Sequence, residues 1–247
     1  MTAVLARNHV HRANARPIGR VEFRHVKMEI GSGQRARTLE IRTLRESVSS
    51  EVARTAFCVM LPRMLSNINY VVNEYCGRME PFSIQLYLPY VLGSLRDVRP
   101  ERRGECLLGS DFSYDDLRTW LYEEDHEYEN ALVDGSVVRV RGTCVGKAHL
   151  VRQRNAPFDI WLSLESAFLM GIDYWSLDES RVVRQYRADD LRHIENVIIP
   201  GRMTMVDHVR NHTTTINLVR ACFDRPIERK FFEPSFRKHT RDYLATW

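Results

Sequence analysis

Gly109-Ser110-Asp111-Phe112-Ser113-Tyr114-Asp115-Asp116-Leu117 reads as a glycine turn, a polar cap and the acidic first turn of a short helix, set between two long β-like regions. Gly109 can take a positive φ and turn the chain sharply. Ser110 or Asp111 can accept a hydrogen bond from a first-turn amide that has no intrahelical partner, a cap worth about 1 kcal/mol. Asp115 and Asp116 then meet the positive end of the helix dipole. Leu117, Trp120 and Leu121 supply an apolar stripe at helical spacing, so the helix is expected around Tyr114 to Tyr122. In this setting the carboxylates are expected to serve as caps before they serve as chemistry.

Working outward toward the N-terminus, period-two alternation dominates. Arg20 to Ile30 places Glu22, Arg24, Val26, Met28 and Ile30 on one face, and Arg35 to Arg45 alternates Leu39 and Ile41 with Glu40 and Arg42. Gly31-Ser32-Gly33-Gln34 between them is a turn signal, which makes the pair a hairpin. Val52 to Leu61 reads as a strand apolar on both faces, Asn69 to Val72 as a further strand, and Phe82 to Leu88 as a strand with Ile84, Leu86 and Leu88 on one face. Tyr90 to Val98 leads into a loop with a small basic knot, Arg99, Arg102 and Arg103, broken by Glu101 and Glu105. Residues 1–17, ended by Pro17, read as a flexible leader.

Toward the C-terminus, Ser136 to Thr143, Ala148 to Arg154, Asp159 to Glu165, Arg181 to Arg187 and Thr213 to Cys222 read as strands, and Met203 and Met205 share one face. Pro234 to Leu244 reads as a closing helix with Lys238 and Arg241 on its wet side. About ten short antiparallel strands with few helices argue for a mainly β (α+β) fold, a barrel or a curved sheet. No repeat and no linker is visible, so residues 18–247 are expected to form one domain.

The chain has 247 residues, with 36 basic and 32 acidic side chains and a net charge of +4. That mild, unclustered excess does not suggest nucleic acid. Cys58, Cys76, Cys106, Cys144 and Cys222 are odd in number and widely spaced, with no C-x-x-C pair, so they are expected as reduced core residues. No stretch has the length of a signal peptide or of a membrane span. The chain as given therefore reads as cytoplasmic, or as periplasmic or envelope-associated if a signal segment has been removed.

Several segments, taken in order, resemble the bacterial family of outer-membrane lipoprotein-sorting (LolA-like) proteins. Gly109 to Leu117 resembles "GSDFSYEDL"; Leu86-Tyr87-Leu88-Pro89 resembles "lYLP"; Arg181 to Tyr186 resembles "G-k-l-v-K-r-y", with Arg184 where relatives often carry lysine. Ile199 to Asp207 resembles "vP-x-x-M-t-M-x-d", His212-Thr213-Thr214 resembles "g-h-k-T", and Phe231 to Leu244 resembles the closing "F-x-x-x-x-L". The resemblance spans roughly Val21 to Leu244. It implies an unclosed antiparallel half-barrel with short helices across its concave side, and an apolar concave face that shelters lipid acyl chains.

On that implication, inward-facing side chains hold the ligand. By strand parity these are Met28, Ile41 and Leu86 in the first half, Ile160 and Leu162 in the middle, and Met203, Met205, Ile216 and Leu218 toward the end. The same residues would also be read as core in any β fold. Methionine suits such a site because it is flexible and polarizable. No G-x-S-x-G elbow, H-E-x-x-H or phosphate loop occurs, and no cofactor or metal is expected. His208 and His212, four apart, fall in strand and turn. Glu123-Glu124-Asp125-His126-Glu127 reads as a solvated acidic loop. The main expectation is carriage of a hydrophobic molecule or lipid. The alternative is a biosynthetic cyclase or isomerase acting on a polyketide or terpenoid in the same pocket, with Asp111, Glu40 and His212 as candidate catalytic groups. A third is an interaction module of an envelope complex.

Overall fold

Thirteen strands form a single antiparallel sheet in the computed structural model, which describes residues 3–31, 36–75, 82–91, 93–118, 126–145 and 156–247. They are β1 (Val21–Ile30), β2 (Arg37–Ser47), β3 (Val52–Leu61), β4 (Asn69–Tyr75), β5 (Phe82–Leu88), β6 (Ser94–Asp97) and β7 (His126–Asp134). The second half supplies β8 (Val137–Cys144), β9 (Pro157–Ser163), β10 (Leu169–Trp175), β11 (Val182–Ile194), β12 (Val197–Asp207) and β13 (His212–Phe223). The spatial order is β6-β5-β4-β3-β2-β1-β13-β12-β11-β10-β9-β8-β7. Two meanders, each of neighbouring hairpins, therefore meet where β1 pairs with β13. The sheet is not closed: β6 and β7, consecutive in sequence, are its opposite edges. The chain from β6 to β7 must travel from one edge to the other.

Alternation sorts the side chains onto two faces. On the outer face of β1–β4, Phe23, Leu44, Ala56, Cys58 and Val71 pack under the C-terminal segment. That segment runs through short 3₁₀ turns into α2 (Thr240–Ala245), burying Phe231, Phe232 and Leu244. Arg237 is fully buried there, donates to the carbonyls of Phe231 (3.5 Å) and Phe232 (2.8 Å), and is lowered to about 10 by burial. On the inner face of β7–β9 lies α1 (Ala3–Asn14), packed against Tyr128, Ala131, Val138 and Val140.

The helix α1 corrects the expectation of a flexible leader. Ala6, Val10 and Ala13 fall four and three positions apart, which aligns them on one helical stripe, and all three are buried. Three strands exceed the expected ten. β7 was hidden because its acidic residues Glu127 and Glu129 sit on the exposed face while His126 and Tyr128 are buried. His126 and Glu127 thus lie in a strand, with His126 edge-on to Phe158 at 5.0 Å. β10 carries Gly171 at its centre, and β6 is only four residues long. The expected helix after Tyr114 is a 3₁₀ turn, Tyr114–Leu117, because Arg118 is extended. Its cap is Ser113, whose N–H and hydroxyl both donate to Asp116 Oδ2 (2.7 and 2.6 Å), in place of Ser110 or Asp111. Ser32 to Gln34, Cys76, Trp120, Leu121, Glu123 to Asp125 and the expected strand Ala148 to Arg154 lie outside the described residues. Among those described, no helix is long and apolar enough to cross a membrane.

Candidate functional site

The inner face of the sheet lines a cavity of about 300 Å³. That sits at the lower end of the range for small-molecule sites, about 300–1,000 Å³. Strand register builds its apolar wall row by row. Met28 stands beside Ile216, and Ile216 beside Met203. The adjacent row runs from Met205 to Tyr186, Ile172 and Ile160. Of the nine expected ligand-facing residues, Met28, Ile41, Ile160, Met203, Met205 and Ile216 line the cavity. Leu162 and Leu218 are instead buried in the clusters that flank it, and Leu86 packs beside Phe82 and Ile84.

One end of the cavity is charged. Along the β1–β2 ladder the facing pairs run Met28/Leu39, Val26/Ile41, Arg24/Thr43 and Glu22/Arg45. The wall therefore passes from hydrocarbon to charge over six residues, about 20 Å of strand. Arg16, immediately after α1, enters at this charged end and stacks over the Phe168 ring at 4.5 Å. Arg24 pairs with Glu22, and Arg45 donates to the Ser47 hydroxyl at 2.8 Å. Burial, reinforced by Arg24, lowers the Arg16 guanidinium to about 10, so it stays charged at neutral pH. Burial also raises the Tyr186 phenol, which stays neutral. Sequence reading passed over these arginines. The signal that finds Arg24 and Arg45 is parity: Glu22 and Arg24 share the face of Met28, and Arg45 shares the face of Ile41.

The edge-to-edge connection roofs the cavity. Leu107, Leu108, Phe112 and Leu117 of its described part face inward. It is tied down by Asp111, whose carboxylate is fully buried. Asp111 Oδ1 accepts from Arg210 Nη2 (2.8 Å), and Oδ2 accepts from the Thr214 hydroxyl (2.7 Å) and lies 2.6 Å from His212 Nδ1. The Asp111 N–H donates to Thr214 Oγ1 at 2.9 Å, so this hydroxyl both gives and receives. Arg184 reaches over from β11 to the Asp111 carbonyl and the Asp116 carboxylate. The fold thus brings Asp111 and His212 together, but neither lines the cavity. Glu40 lies elsewhere, on β2, with His25 Nε2 at 3.6 Å. The three candidate catalytic groups form no common site. Among the described residues no group of three or more His, Cys, Asp or Glu could hold a metal ion.

A family model described as an uncharacterized protein matches residues 83–237, more than half of the chain. The chain belongs to that family. No curated protein matches it. Among solved structures, a DUF1329 family protein from Desulfovibrio piger superposes with a TM-score of 0.81 at 15% identity, covering 95% of this chain and 98% of that one. A putative outer membrane lipoprotein-sorting protein domain from Vibrio parahaemolyticus gives 0.80 at 15% identity, covering 96% and 98%. A LolA superfamily protein from Nitrosomonas europaea gives 0.64 at 12% identity, covering 95% and 99%. At these identities the likeness is one of fold, and this family member is built as a LolA-like half-barrel.

Proposed function

We propose that the protein binds and carries a hydrophobic ligand, a lipid or acyl chain, in the inner cavity. The observation that carries this reading is the apolar wall: Met28, Ile216 and Met203 in one row and Met205, Ile172 and Ile160 in the next. Three of these six are methionines, which repack around different chains at little cost. The roof formed by the β6–β7 connection supports the same reading, because it shields an apolar chain from water without filling the space beneath. The Vibrio structure of this fold is described as a lipoprotein-sorting domain, which makes an acyl chain the first ligand to test.

The test uses a neutral apolar probe, diphenylhexatriene, whose fluorescence rises in an apolar site. The protein should bind it saturably. Met203→Trp, which overfills the cavity, should weaken binding by about tenfold while the melting temperature holds. Native mass spectrometry of protein purified from its own host should show a lipid-sized adduct. A protein that neither binds the probe nor carries an adduct is not a carrier.

A further inference from the structure

Every carboxylate that reaches the cavity is engaged by a neighbouring cation: Glu22 by Arg24, Asp115 by Arg118 and Asp116 by Arg184. Arg16 is engaged by none of them. Its Nη1 is buried and has no hydrogen-bond partner among the described residues. Arg24 and Arg45 repel it, against the Tyr186 phenol and the Glu22 carboxylate, and Arg24 already engages Glu22. A buried guanidinium N–H with an unmade hydrogen bond is costly, and among the described residues no side chain supplies the anionic oxygen that would complete it. The apolar rows begin only two and four residues further along β1 and β2, at Val26 and Ile41.

We infer that the ligand is an anionic amphiphile, whose carboxylate or phosphate headgroup docks on Arg16 within the field of Arg24 and Arg45 while its tail runs along Met28, Met203 and Met205. This rests on the carrier reading above and narrows it to a ligand class. A guanidinium suits the task because its fork of N–H donors matches two oxygens of one carboxylate or phosphate. The tail supplies affinity by leaving water, and the headgroup sets orientation and selects against neutral lipids.

Competition against diphenylhexatriene tests this with four ligands: dodecanoic acid, dodecyl phosphate, dodecanol and inorganic phosphate. The acid or the alkyl phosphate should bind at least about tenfold more tightly than the alcohol, as a charge-assisted hydrogen bond in a buried site predicts. Which of the two binds more tightly identifies the headgroup. Equal affinity of the alcohol and of both anionic chains overturns the inference and leaves the carrier reading standing. Failure of all three chain-bearing ligands, together with the probe, overturns the carrier reading itself. Inorganic phosphate binding as tightly as dodecyl phosphate overturns the amphiphile and leaves a simple anion site. Arg16→Met should close the gap between acid and alcohol. Glu22→Gln removes the competing negative charge and should widen it, which gives a second readout if Arg16→Met folds poorly. A gap that neither variant moves overturns the assignment to these side chains.

Discussion

Asp111 holds three side-chain partners on one buried carboxylate, and they are not equally able to lose it. Arg210 is half-exposed and can turn to water, whereas Thr214 is fully buried. Asp111→Ala should therefore cost about 3 kcal/mol, the range seen when a buried pair is broken from one side. Urea unfolding measures it. Thr214→Val should cost about 1 kcal/mol alone, and the double variant should cost less than the sum because the two share a bond. Additive costs would show that the two side chains act independently. Cys58 offers a separate check. Burial pushes its thiol up to about 12, so alkylation at about pH 8 should be slow in the native protein and fast in denaturant. At this scale the sequence announced a capped turn and placed the cap wrongly. Ser110, Asp111 and Ser113 all have cap chemistry, and nothing local reveals that Thr214, 103 positions away, claims Asp111.

Elements were legible where hydrophobic residues alternate or run together, and β7 was missed because its wet face is acidic enough to resemble a loop. β1, β2, β5 and β8 were read as strands from this alternation, and the β1–β2 hairpin from the turn signal between them. α1 escaped because its apolar stripe is made of small residues, two alanines and a valine, which carry little hydrophobic signal yet fit flush against β7 and β8. That packing predicts a large effect from a small change: Val10→Asp buries an unpaired charge and should cost about 3 kcal/mol or more. The thermal midpoint should fall and dye binding to exposed apolar surface should rise. A Val10→Asp protein that melts like the parent would mean that α1 contributes nothing to the fold. Gly142 is the second sensitive point. A Cβ there would stand 2.5 Å from the Glu127 carbonyl oxygen on the neighbouring strand and 2.7 Å from the Phe158 ring. Gly142→Ala should loosen the β7–β8 ladder at a cost of about 1–3 kcal/mol, seen as faster amide exchange in β7.

For the whole molecule, strand count and curvature could be approached from spacing, but the order of strands could not. No residue marks β6 and β7 as edges, because an edge is defined by the partner that is absent. The candidate site divided along the same line. Parity found most of the apolar wall, since each residue reports its own face. It did not find that Arg16 joins Glu22, Arg24 and Arg45, since Arg16 lies outside any strand and reaches the cavity only through the placement of α1. Ligand binding to this interior should stabilise the whole sheet, because a molecule that binds only the folded state raises stability by mass action. Dodecanoic acid at about a hundredfold above its dissociation constant should add about 2.7 kcal/mol, measured as a shift in the unfolding midpoint.

The tie between Asp111 and His212 joins positions 101 apart in the chain. During synthesis the roof is made first and its anchor much later, so neither meander can be capped until the final hairpin, β12–β13, has emerged. In refolding followed by pulsed hydrogen exchange, Ser110 to Asp116 should gain protection after β1 and β2; simultaneous protection would refute this order. The nascent molecule then holds its cover without a latch through most of its growth.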